Sequence, residues 1–379
     1  MVNRLLNFWF DDYEDLESKK RKRIALWFTM IILCSCLILG VFTYFIYDNR
    51  KEDQDYWNNA VKVENGTLKD VAVVGKDATE VLCGTYFENV SEFNLADSRF
   101  RAVFLTWFRW QGDDIQDMAH NFRVYRGEIK KLEMVKDYVE DDTHYQLVRV
   151  DAIVSHDFRT RCFPLEEHLL SIFIEPNYTA KRVVFKVDTQ NSNVNRALKI
   201  GGYKLDNHAV VPFAYEYRNT RADVKLENDA GKNVVSEVLT MIRLKRDGAG
   251  LYVKCFIAMY GCILWALISL FTSTYQHLDP LELLPEALFG CVANIMVGAS
   301  MLPDALEMGL LEYVNIYGIL LILISALVII KINVIRREEK NVHSVYANVF
   351  GKILFYTITF FALFGNFIMP FVAYGQQIH

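Results

Sequence analysis

The chain has 379 residues, 52% hydrophobic, 14% aromatic and 23% charged, with a formal net charge of −5. It is too apolar for an ordinary two-domain soluble protein and too charged for one lying wholly within a bilayer. A pI near 6.0 and the lack of a basic stripe outside the membrane flanks exclude nucleic acid as a partner.

A hydrocarbon core of roughly 30 Å calls for about 20 mostly apolar residues per helix. Taken in chain order, residues 1–23 form a cytoplasmic segment in which Leu5, Leu6, Phe8, Trp9 and Phe10 mix with acidic residues, suiting an interfacial helix or no ordered structure. Residues 24–47 are the first apolar stretch, and the run Lys19, Lys20, Arg21, Lys22, Arg23 just before it keeps the N-terminus on the cytoplasmic side. Its core passes through Phe42, Tyr44, Phe45 and Tyr47 into Asp48 with no small-residue cleavage site, so it reads as an uncleaved transmembrane anchor.

Residues 48–248 read as an external β-domain. Segments 101–110, 146–154, 169–175, 182–187 and 234–244 are rich in Val, Ile, Phe and Thr and are punctuated by Gly, Asn, Asp or Pro. Crossover helices are missing, which predicts a β-sandwich rather than a parallel sheet. Cys83 and Cys162 either pair there or stay free, whereas Cys34, Cys36, Cys255, Cys262 and Cys291 fall in apolar segments as small hydrophobes. Residues 249–379 hold four further apolar stretches, 251–271, 285–302, 310–335 and 349–373. Arg336, Arg337 and Lys340 place the loop 333–346 on the cytoplasmic side and the C-terminus outside, in a plasma or bacterial inner membrane. The fold class is thus a β-sandwich plus an α-helical transmembrane bundle, with five transmembrane helices per chain.

Phe163, Pro164, Leu165, Glu166, Glu167 and His168 precede an apolar strand, and a basic pair ending in Arg246 closes segment 234–246 directly before the next helix. With segments 81–86, 89–94 and 104–110, this pattern resembles the pentameric ligand-gated ion channel family, over residues from about 65 to 375. The resemblance implies a homo-pentamer in membrane lipid, inorganic ions as cargo, a small-molecule ligand and no cofactor. It also implies that Phe163, Pro164, Glu166, Glu167, His168, Arg246, Pro303 and Asp304 couple the external domain to the helices. This chain departs from the family in the anchor 24–47 and in a first bundle helix without proline.

In the segment 285–302, Pro285 suits a first helical turn and Glu286 suits a water-filled vestibule, where five copies would form a carboxylate ring attracting cations. Helical spacing brings Gly290, Ala293 or Asn294, Val297 and Met301 onto roughly the same face as candidate pore-lining residues. The recurrence of Gly290, Asn294 and Gly298 every four residues equally fits tight helix packing with Asn bonding across. Alternation places Phe213, Tyr215 and Tyr217 on one face of a strand as candidate ligand-binding residues, or as core. Residues 228–232 resemble the tip of the family's ligand-capping hairpin. The acidic cluster Glu140, Asp141, Asp142 reads as a solvated turn or a cation site. His120, His144, His156 and His168 show no metal-ligand spacing and no nucleophile motif appears, so an enzyme is not expected. Sequons at Asn65, Asn89 and Asn177 fall on the external side. A ligand-gated, cation-conducting channel is the leading expectation, with a non-conducting oligomeric sensor or scaffold of the same fold as the alternative and a membrane-anchored enzyme as the third.

Overall fold

The computed structural model of the chain describes residues 13–62, 78–198, 200–217, 233–302 and 308–374. It divides into two compact units: a strand unit of Glu52–Arg159 and Glu166–Gly248, and a helical unit of Met1–Lys51, Thr160–Leu165 and Ala249–His379.

The strand unit contains β1 (Thr79–Asn94), β2 (Arg99–Gln111), β3 (Phe122–Val124), β4 (Gly127–Glu140), β5 (Thr143–Ser155), β6 (Glu167–Pro176), β7 (Val183–Val187), β8 (Asn193–Val194), β9 (Tyr203–Tyr217) and β10 (Asn233–Arg246). They form two sheets. The larger runs β4-β5-β2-β1-β7 with β8 also on β1, and the smaller runs β3-β6-β10-β9. Pairing is antiparallel except where β7 and β8 join β1 in parallel, so the region is mixed.

Period-two alternation explains the strands. In β2, Phe100, Ala102, Phe104, Thr106, Phe108 and Trp110 are buried in turn, opposite Val148, Val150, Ala152 and Val154 of β5. A single buried cluster draws Phe87, Phe104 and Phe108 from the larger sheet and Leu170, Ile172, Ile174, Val238 and Ile242 from the smaller. A hydrogen bond of 2.9 Å between Thr85 Oγ1 and Thr240 Oγ1 pairs the two buried hydroxyls. Asp141 and Asp142 make the two-residue turn between β4 and β5, with φ of 48° and 62°. Asp and Asn tolerate that left-handed conformation better than most residues. The acidic cluster is therefore an exposed hairpin turn.

The helical unit is built from α1 (Ser18–Lys62, of which the part up to Lys51 belongs here), α2 (Gly250–Phe271), α3 (Leu284–Ala299), α4 (Leu310–Glu338) and α5 (Val345–Tyr374). Among the described residues five helices are long and apolar enough to cross a membrane, the mark of a multi-pass membrane protein.

Three boundaries differ from those expected. α1 extends beyond 24–47 in both directions, because its flanks carry good helix formers and no breaker. α3 stops at Ala299, which puts Met301 in the following turn rather than on the helix. α4 continues to Glu338, so Arg336 and Arg337 lie in its last turn instead of a loop, where a cation suits the helix C-terminus. Arg336 is buried and donates to the Ser273 carbonyl at 2.8 Å, within the π-turn Thr272–Gln276 that continues α2.

α1 packs along α4 and α5. Phe42 and Phe45 stack near Tyr313 at 4.9 and 6.2 Å between ring centroids, and Trp27 meets Phe350 edge-on at 5.9 Å. Lys20 reaches Glu339 at 2.5 Å.

Candidate functional site

The signature segment falls in both units. In the helical unit, Phe163 and Pro164 are buried, and the Arg161 carbonyl accepts from Leu310 N at 2.7 Å, satisfying one of the unpaired donors at the α4 N-terminus. Gly309 is required there, since a Cβ would overlap that same carbonyl.

In the strand unit, Glu166 is 1% exposed and anchors a buried polar cluster. Tyr203 Oη donates to it at 2.5 Å, Arg246 Nη2 pairs with it, and His168 Nε2 lies 3.5 Å away. The Arg246 guanidinium also covers the Tyr203 ring at 3.8 Å. Burial by itself would raise the Glu166 carboxyl, but the His168 hydrogen bond and charge and the Arg246 charge outweigh it and hold it at about 2. Glu167 makes a separate pair with Arg243 at 2.7 Å. The cluster follows from register, as Lys245 and Leu244 of β10 stand opposite Glu167 and His168 of β6. Pro303 and Asp304 lie outside the described residues.

A second cluster lies on the smaller sheet, on the face that bears the predicted aromatics. Tyr215 and Tyr217 rings meet at 4.7 Å, Tyr125 approaches Tyr215 at 5.8 Å, and Phe213 meets Phe173 at 5.8 Å. Tyr215 is 39% exposed. Beside these rings sit two buried carboxylates, Glu175 at 0% and Glu237 at 1% exposure. Arg123 forms an ion pair with Glu175 and donates to Tyr217 Oη at 3.0 Å. Tyr217 Oη in turn donates to Glu175 Oε2 at 3.0 Å. Burial first, then the neighbouring Glu175 carboxylate, push Glu237 up to about 8. Glu237 thus carries a proton at neutral pH, and its Oε1 has no hydrogen-bond partner. The cation present among these rings is Arg123, whose guanidinium lies 5.7 Å from the Tyr217 ring centroid.

Sequence reasoning named the three aromatics and did not name Arg123, Glu175 or Glu237, which the structure brings beside them. The available signal was a lone acid inside each of two apolar strands; their convergence depends on the registers of β3, β6, β9 and β10. Residues 228–232 lie outside the described residues.

On α3, Glu286 stands exposed in the first turn, and Ala293 and Val297 follow it along the open side. Gly290 is half-buried. Asn294 turns away from this face: it is 7% exposed and its Nδ2 donates to Asn315 Oδ1 of α4 at 2.8 Å. A Cβ on Gly290 would overlap Cys262 Sγ of α2, and one on Gly298 would overlap Leu311 of α4. The stripe of Gly290, Asn294 and Gly298 therefore serves packing within the chain, and Glu286, Ala293 and Val297 remain on the open side.

Neither Cys83 nor Cys162 is in a disulfide, and burial pushes Cys83 up to about 12. Asn89 and Asn177 are exposed and Asn65 lies outside the described residues. Neither a protein-family model nor a curated protein matches this chain.

Proposed function

We propose that this chain is one subunit of a ligand-gated ion channel of the pentameric kind its sequence resembles, with the two sheets packed as an external β-sandwich. The carrying observation is Glu286, a carboxylate on the open side of a membrane-spanning helix. At lipid depth a charged side chain costs about 2.5–3.5 kcal/mol or more, whereas a water-filled lumen removes most of that cost. Five copies around an axis make a ring that favours cations at the cytoplasmic mouth, with Ala293 and Val297 further along the lumen. The shared core of the two sheets supports the sandwich. The half-exposed aromatic cluster around Tyr215 supports a small-molecule ligand. The N-terminus is cytoplasmic and the strands are external. No catalytic role is proposed.

One observation favours a second reading. The open side of α3 also carries Phe289, Val292 and Met296, an apolar surface that suits contact with another chain in a non-conducting oligomeric sensor. Bilayer recording of the reconstituted protein separates the two. Glu286→Gln is expected to shift the reversal potential toward lower cation preference while leaving expression and assembly unchanged. Absence of current across pH, calcium and amine conditions would favour the sensor reading instead.

A further inference from the structure

We propose that the helical unit holds a soft monovalent metal ion, Cu(I) or its analogue Ag(I), among three sulfurs: Cys291 Sγ of α3 with Met259 Sδ and Cys262 Sγ of α2. Cys291 Sγ donates to Met259 Sδ at 3.4 Å, and both side chains are fully buried. Cys262 Sγ lies against Gly290 of α3, the residue before Cys291. Met259 and Cys262 are three residues apart on one helix, so both face the same neighbour.

Two glycines make room for these sulfurs. A Cβ on Gly290 of α3 would overlap Cys262 Sγ, and one on Gly318 of α4 would overlap Met259 Sδ. Each sulfur therefore rests against bare helix backbone. Thiols that served only as small hydrophobes would need no such convergence with a thioether.

Thiolate and thioether are soft donors that select Cu(I) over ions preferring oxygen. The apolar surroundings penalise any net charge. Binding of one monovalent ion displaces one proton to water from the Cys262 and Cys291 thiol pair and leaves a neutral site: one thiolate and the Met259 thioether bind the ion, and the remaining thiol donates a hydrogen bond to the thiolate. Cys262 is only partly buried, which provides the entry. Because Cys291 belongs to α3, an ion here would tie that helix to α2, whether or not a pore forms.

The test uses the full chain in detergent, reduced, in a Cys34→Ser, Cys36→Ser background, because those exposed thiols would bind silver adventitiously. Ag(I) is titrated, the protein is desalted, and metal retained per chain is measured. The expected result is one retained ion per chain, at least tenfold weaker binding in Cys291→Ser and in the size-conserving Met259→Leu, and a sulfur-only first shell for Cu(I) by X-ray absorption. Retention unchanged in Met259→Leu, or a Cys262–Cys291 disulfide formed in place of bound metal, would overturn the proposal. If Cys291→Ser fails to fold, Met259→Leu and Cys262→Ser decide the outcome.

Discussion

Two buried glutamates in the strand unit behave oppositely because of what faces them. Glu166 meets His168 and Arg246 and is held at about 2; Glu237 meets burial and a second carboxylate and is pushed up to about 8. A carboxyl whose folded value is raised binds more protons folded than unfolded. Its stabilising effect is thus complete below the ordinary value of 4.5 and is lost as pH climbs toward 8. Glu166 has the reverse sign: its contribution is present above 4.5 and disappears as pH falls toward 2. The expected unfolding profile of the strand unit peaks near the ordinary carboxylate range and declines on the alkaline side until Glu237 is ionised. Glu237→Gln should flatten that alkaline decline, measured by tryptophan fluorescence melts between pH 5 and 9; a slope equal to the parent's would refute a raised Glu237. The groups facing Glu237 are Glu175, Arg123, Tyr125 and Phe213. The Glu166–Arg246 pair was foreseeable from its motif, as both residues flank recognisable boundaries. The Glu237 pair was not, since an acid inside an apolar strand looks the same whether its neighbour across the sheet is Arg, Glu or water.

Among the elements, α3 shows how a helical period leaves direction undetermined. Spacing put Gly290, Asn294 and Gly298 on one stripe, but whether that stripe faced a pore or a sister helix required α2 and α4 to be in place. The bond from Asn294 to Asn315 is expected to contribute about 1 kcal/mol, typical of polar pairs between membrane helices. Asn294→Leu should lower thermal stability by about that amount and leave Asn315 unpaired, while Asn294→Leu with Asn315→Leu should recover most of the loss. Ala293→Leu, one residue away on the open side, should leave the chain's own stability unchanged. Equal losses in Asn294→Leu and Ala293→Leu would mean that the stripe has been misassigned. The limits of α1 and α4 escaped sequence reading for a related reason: charged residues such as Arg336 end an apolar count without ending a helix.

At the scale of the whole molecule, the apolar open side of α3 and Glu286 are exposed among the described residues of this one chain. Native mass measurement of the solubilised complex is expected to show five chains; any other number would remove the architecture carried by the resemblance. α1 lies against α4 and α5 through Trp27, Phe42 and Phe45, which fits an anchor rather than a lining element. The sequence by itself determined that there are five membrane-length apolar segments around a strand-rich region. Segment length against bilayer thickness and period-two alternation are local properties, readable one stretch at a time. Only the tertiary structure decided which polar groups meet: Glu166 with Tyr203 and Arg246, Glu175 with Glu237, Asn294 with Asn315, and Cys291 with Met259. Those meetings depend on strand register and helix rotation, and both are settled by the packing of residues far apart in the chain.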